Sequence, residues 1–172
     1  MWQELPKGLD LKSTYSILWS HMRAPSDLQK LLCFQRINFF IGDKHLTRKD
    51  YLKRALERIQ KLSARTQSLF NIMPLTFILP KEYVDFLTVF SEIEDQVGEQ
   101  NNFWTMKAAQ ARGQPTQLVN DVTQIKFGEA YLLQQYIRKP LLVRGYKFDL
   151  RLFVLVTSVN PLEAFLYQEG FA

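Results

Sequence analysis

Between residues 47 and 62, apolar positions recur at helical spacing. Leu52, Ala55, Leu56, Ile59 and Leu62 follow the i, i+3, i+4, i+7 pattern of one buried face. Thr47 is the expected N-cap, and Asp50 sits near the positive end of the helix dipole. The remaining positions carry Arg48, Lys49, Lys53, Arg54, Arg58 and Lys61, opposed by Asp50 and Glu57, which predicts an exposed, strongly basic side. A short apolar run over 75–79 predicts a strand. Pro80 then opens a second helix with Tyr83, Phe86, Leu87, Phe90 and Ile93 as its buried stripe. The polar stretch 91–102 reads as a loop. Segments 103–107, 131–137, 147–156 and 164–167 are expected strands, with Val159, Asn160 and Pro161 turning between the last two. The first 35 residues hold Trp2, Leu18, Trp19, Leu31, Leu32 and Phe34 without a clean period, and these are expected to pack against something. Helices and strands mixed without a regular βαβ repeat predict an α+β architecture.

Composition narrows the class. The chain has 172 residues, 47% of them hydrophobic and 23% charged, as in a globular protein of one or two domains. No apolar run nears the roughly 18 residues of a membrane helix, and the start lacks a signal-peptide pattern. Cys33 is the one cysteine, so no disulfide framework is expected; it lies in an apolar stretch, where core packing is its ordinary role. These features predict a soluble protein in a reducing compartment. The net charge of +5 suits an acidic partner: nucleic acid, a membrane face or an acidic protein tail. The basic helix face is then either a solvated surface or a docking surface for such a partner. Nucleic acid is the least favoured, because the strands lack exposed aromatics clustered with Lys and Arg.

Three segments could carry chemistry. In Lys147-Phe148-Asp149-Leu150-Arg151, read as a strand, Lys147, Asp149 and Arg151 share one face opposite Phe148, Leu150, Leu152, Val154 and Val156. Such a row can hold phosphates, or it can be an exposed ion-pair ladder. The segment Trp104-Thr105-Met106-Lys107 is a strand ending in a lysine. The loop after it, which includes Arg112 and Gly113, could admit a phosphate or could be a plain surface loop. Gln134-Gln135-Tyr136-Ile137 could line a nucleobase slot. His21 and His45 are far apart in sequence and no metal motif is visible.

In order along the chain, these pieces resemble the tubulin tyrosine ligase-like family, and its polyglutamylase branch in particular. The resemblance rests on Gln35-Arg36-Ile37-Asn38, Leu46-Thr47-Arg48-Lys49-Asp50, Pro74-Leu75-Thr76-Phe77-Ile78-Leu79-Pro80, Trp104-Thr105-Met106-Lys107, Gln134-Gln135-Tyr136-Ile137, Lys147-Phe148-Asp149-Leu150-Arg151 followed by Val154-Leu155-Val156-Thr157-Ser158, and Glu169-Gly170-Phe171-Ala172. The resemblance implies an ATP-grasp-like fold: an N-terminal domain over 1–72, a central domain over 73–137 and the start of a C-terminal domain over 138–172. It implies an ATP- and Mg²⁺-dependent ligase that adds free glutamate to glutamate side chains of tubulin tails through an acylphosphate. Lys107, Arg112, Gly113, Gln134, Gln135, Tyr136, Ile137, Lys147 and Asp149 would bind the nucleotide, and Arg151 would be catalytic. The acidic tail would dock on Arg48, Lys49, Lys53, Arg54, Arg58 and Lys61. Tubulin and microtubules are the implied partners, and the cytoplasm, cytoskeleton and cilium or basal body the implied setting.

The chain departs from the family pattern at the phosphate loop. Ala108 stands where proline is usual, and Gln114 and Pro115 replace a cationic residue and a glycine. Pro115 removes an N–H and fixes φ. Metal ligands are expected beyond residue 172, so the chain by itself is expected to be inactive. The alternative is a non-catalytic module of the same ancestry that binds tubulin or nucleotide.

Overall fold

The computed structural model describes residues 15–19, 31–109, 116–125, 128 and 130–172. Contacts divide the chain into two units, one running to Gln135 and one from Tyr136 to Ala172.

In the first unit, Ile17–Leu18 (β1) pairs in parallel with Arg36–Ile37 (β2). Buried Gln35 ties this pair together. Its amide donates to the Tyr15 carbonyl at 3.0 Å and accepts from the Leu32 N–H at 3.0 Å. Trp19, Leu32 and Phe34 are exposed, as is Cys33, which was expected in the core. Cys33 sits in the turn before β2, where its carbonyl accepts from the Arg36 guanidinium at 3.0 Å. Trp2 and His21 lie outside the described residues.

Three helices follow: Lys44–Thr47 (α1), Lys49–Gln60 (α2) and Ala64–Leu69 (α3). Ser63 and Thr66 form a capping box at the start of α3. Thr47 ends α1 and is not the N-cap of the long helix. Arg48 takes the N-cap position without a side-chain cap, and its guanidinium holds Asp50 at 3.1 and 2.9 Å. Burial pushes the Asp50 carboxyl up, but that bond and the Arg48 charge outweigh it and leave Asp50 below the usual carboxylate range. The face of α2 also differs from expectation. Its buried positions are Asp50, Lys53 and Leu56, while Leu62 lies beyond the helix end, 73% exposed.

Next along the chain come Thr76–Ile78 (β3), Tyr83–Val97 (α4), Trp104–Ala108 (β4), Gln117–Val119 (β5) and Tyr131–Gln135 (β6). The strands form one antiparallel sheet in the order β3-β6-β4-β5. Pro80 lies in the turn ahead of α4 and does not open the helix, since α4 begins at Tyr83. The expected loop over 91–102 is mostly helix. Ile93 and Val97 continue the stripe of Phe86 and Phe90, and nothing breaks the helix until Gly98, at φ +81. A short 3-10 turn, Glu99–Asn101, follows.

Strand alternation gives the sheet two faces. On one, Phe77, Trp104, Met106, Val119 and Leu133 pack with Phe86 and Phe90 of α4. Trp104 and Phe86 are fully enclosed, with ring centroids 5.1 Å apart in an edge-on contact. The Trp104 indole N–H donates to Asn102 Oδ1 at 2.8 Å, and Asn102 Nδ2 donates to the Phe90 carbonyl at 2.9 Å. On the other face Ile78, Leu132 and Ala109 form a small second cluster beside a row of polar side chains.

The second unit holds two hairpins. Leu142–Val143 (β7) and Tyr146–Lys147 (β8) are joined by Arg144 and Gly145, at φ 52 and 84, the left-handed pair that a tight two-residue hairpin turn demands. Val154–Val159 (β9) pairs with Leu162–Leu166 (β10) through the expected turn at Asn160 and Pro161. The long strand expected over 147–156 is not formed. Strand β8 ends at Lys147, residues 148–150 are irregular, and Arg151 makes only a bridge to Phe171 before β9 begins. Arg151 N donates to the Phe171 carbonyl at 2.8 Å and Phe171 N returns to Arg151 O at 3.2 Å, so pairing here is a single bridge and not a ladder. Among the described residues, no helix is long and apolar enough to cross a membrane.

Candidate functional site

Lys107, near the end of β4, faces away from α4. Its ammonium donates to Gln134 Oε1 at 2.7 Å. The Gln134 amide nitrogen donates in turn to Thr76 Oγ1 at 2.9 Å, and that hydroxyl donates to the Pro74 carbonyl at 2.7 Å. Thr105 Oγ1 donates to the Gln134 backbone carbonyl at 3.0 Å. The register explains the cluster. Thr76 and Thr105 stand opposite Gln134 on its two neighbouring strands, and Lys107 is two residues along from Thr105.

The electrostatics are those of an unspent cation. Burial pushes Lys107 below the ordinary lysine range, and the positive charge of Lys49, the first residue of α2, pushes it further. No carboxylate pairs with Lys107 among the described residues; its one acceptor is the neutral amide of Gln134. A partly desolvated ammonium so placed gains most from an incoming anion.

The other expected site residues scatter. Gln135 is adjacent to Gln134 but points to the opposite face of β6. Arg112 and Gly113 lie outside the described residues, as do Gln114 and Pro115. In the second unit the Lys147 ammonium donates to the Tyr136 hydroxyl at 3.3 Å and lies 4.9 Å from the centre of its ring. Ile137, Asp149 and Arg151 are exposed, and neither an ion pair nor a common strand face joins Lys147, Asp149 and Arg151. Among the described residues no group of three His, Cys, Asp or Glu could hold a metal ion.

The basic helix is also redrawn. Lys53 is buried, 5% exposed, and ion-paired to Glu82 and Glu57 at 2.6 and 2.7 Å, so it cannot belong to a docking face. Its burial was missed because a lysine within a basic run reads as solvated, and the partner that neutralises it lies on another element. Lys49, Arg54, Arg58 and Lys61 are exposed. Arg48 and Lys44 lie over the Tyr51 ring at 4.6 and 4.9 Å, with Arg54 at 5.9 Å. The hydrogen bond to Asp50 raises the Arg48 guanidinium, so it stays charged.

A mixed helix-and-sheet unit presenting a half-buried ammonium, without a carboxylate partner among the described residues, beside a basic helix is equipped to take an anionic ligand. The sequence profile of the tubulin-tyrosine ligase family matches residues 26–172, and the chain belongs to that family. It is 38% identical over 161 residues to human tubulin polyglutamylase TTLL5, covering 92% of this chain and 12% of that protein. It is 38% identical over 138 residues to mouse probable tubulin polyglutamylase TTLL2, covering 80% of this chain and 25% of that protein. Against tubulin polyglutamylase TTLL7 of Xenopus tropicalis the identity is 33% over 165 residues, 95% of this chain and 18% of that protein. The chain thus spans a quarter or less of the length of these relatives.

Proposed function

We propose that this chain is the nucleotide- and tubulin-recognising portion of an ATP-dependent ligase of ATP-grasp type that adds glutamate to glutamate side chains of tubulin tails. The observation that carries the reading is Lys107: an ammonium depressed by burial and by Lys49, held by Gln134, without a carboxylate partner among the described residues. Such a group suits a phosphate of ATP. ATP would transfer its γ-phosphoryl group to the tail carboxylate, leaving ADP and an acylphosphate; the amine of free glutamate would attack the acyl carbon, forming the amide bond, losing a proton and expelling inorganic phosphate. The resemblance of Lys147-Phe148-Asp149-Leu150-Arg151 to the family motif supports a nucleotide role for Lys147 and Asp149 and a catalytic role for Arg151. The exposed cations Lys49, Arg54, Arg58 and Lys61 suit an acidic tail of tubulin. Titrating the chain with MgATP and with tubulin tests the reading, and binding of both, the second dependent on the tubulin tails, is the expected result. Absence of MgATP binding would sink the ligase reading, and label from glutamate on the tails in the presence of ATP and Mg²⁺ would show in addition that the chain is active by itself.

A second reading is favoured by Gln114 and Pro115, which stand where the resembling loop carries a cation and a glycine. On it, the chain is a non-catalytic member that binds tubulin or nucleotide. Equal affinity for tubulin with and without its tails would count against the basic helix in either case.

A further inference from the structure

We propose that Thr76 is a positioning residue for the Lys107 site, holding the Gln134 amide in the one orientation that presents its oxygen to the ammonium; the inference rests on the reading of Lys107 as a phosphate contact. The polarity of the chain of hydrogen bonds is fixed at both ends. An ammonium can only donate and a carbonyl can only accept. Gln134 must therefore turn Oε1 toward Lys107, at 2.7 Å, and Nε2 toward Thr76, at 2.9 Å. The Thr76 hydroxyl must accept from Gln134 and send its own proton to the Pro74 carbonyl, at 2.7 Å. Thr76 is 5% exposed, so water cannot readily replace it in this relay. Its neighbours leave little slack: the Gln134 backbone is held by Thr105 Oγ1 and by the ladders to β3 and β4. Without the hydroxyl, the Gln134 amide nitrogen loses the partner it has among the described residues and can turn its N–H groups toward Lys107, where donor would face donor.

Thr76→Val keeps the shape and the strand-favouring branch and deletes the relay; Thr76→Ser keeps the relay. Two readouts separate the steps. The first is hydrogen exchange of the Gln134 side-chain amide by NMR, with the resonance assigned by its loss in Gln134→Glu. Exchange is expected to quicken about tenfold or more in Thr76→Val and to stay slow in Thr76→Ser. The second is binding of MgATP, expected to weaken about tenfold in Thr76→Val and to be rescued in Thr76→Ser. A folded Thr76→Val chain with wild-type exchange overturns the relay, and one with quickened exchange but wild-type MgATP affinity overturns the positioning role. If the unmodified chain binds no MgATP, the nucleotide reading fails, and the exchange measurement alone decides whether the relay exists. Thr76→Ala, which adds no bulk, carries the same test should the valine variant not fold.

Discussion

Lys53 and Glu82 stand 29 residues apart, yet the Lys53 ammonium meets both carboxylate oxygens of Glu82, at 2.8 and 2.6 Å. The same carboxylate accepts the Ile78 backbone N–H at 2.7 Å. One buried cation therefore fastens α2 to the turn between β3 and α4. Removing it strands Glu82 at 23% side-chain exposure, beside an amide that still needs an acceptor. Lys53→Met should cost about 1–3 kcal/mol, less than a fully buried pair because water reaches the carboxylate. Urea unfolding measures it, with Arg58→Ala as a surface control expected to stay within about 0.5 kcal/mol.

Lys107 predicts a pH dependence with a definite sign. Its folded value lies below the ordinary lysine value because burial and Lys49 oppose the charge. The unfolded chain thus binds more protons between the two values, so stability rises as pH climbs from the folded toward the unfolded value. Anion binding runs the other way, since only the charged form attracts phosphate. MgATP affinity should fall at a pH below that at which an ordinary lysine titrates, and Lys107→Met should weaken it about tenfold or more at neutral pH, roughly 1.4 kcal/mol. Fluorescence or calorimetric titration across pH 7 to about 10 checks both.

The exposed cations of α2 predict salt-sensitive binding to tubulin. Reversing Arg54, Arg58 and Lys61 to Glu should weaken it about tenfold at low ionic strength, with the difference shrinking as salt screens the surface. Tubulin stripped of its tails should bind the reversed and unmodified chains alike. Lys53→Met, measured where it remains folded, should bind as the unmodified chain does, because its charge faces Glu82 and Glu57.

Asn102, 1% exposed, joins the Trp104 indole to the Phe90 carbonyl. Asn102→Ala leaves the indole N–H unpaired in the core and opens a gap beside it. A loss of about 2 kcal/mol is expected from chemical denaturation, with Trp fluorescence reporting the change directly.

Local pattern revealed much of this architecture and missed what depended on distant partners. The apolar stripe of α4 and the alternation around Trp104 and Leu133 were readable because each burial decision repeats within a few residues. The end of α4 was misread from its polar composition, although Ile93, Val97 and Gly98 mark the true stripe and stop. Alternation misled at residues 147–156, where 148–150 find no strand partner and Arg151 pairs only through a bridge to Phe171, because a strand needs a neighbouring ladder that local pattern does not reveal. Lys107 and Gln134 were both named from sequence, but their contact, and the part of Thr76 in it, required the register of three strands. Lys53 could not be separated from its basic neighbours without Glu82.

The sheet assigns neighbouring residues of one ribbon to separate duties. In β4, Trp104 and Met106 belong to the packed side while Thr105 and Lys107 belong to the polar side. Packing and the proposed phosphate contact are thus carried on alternate letters of the same short word. Evolution can rewrite one set and leave the other intact, so a relative can change position 107 while keeping every residue that holds the sheet to its helix.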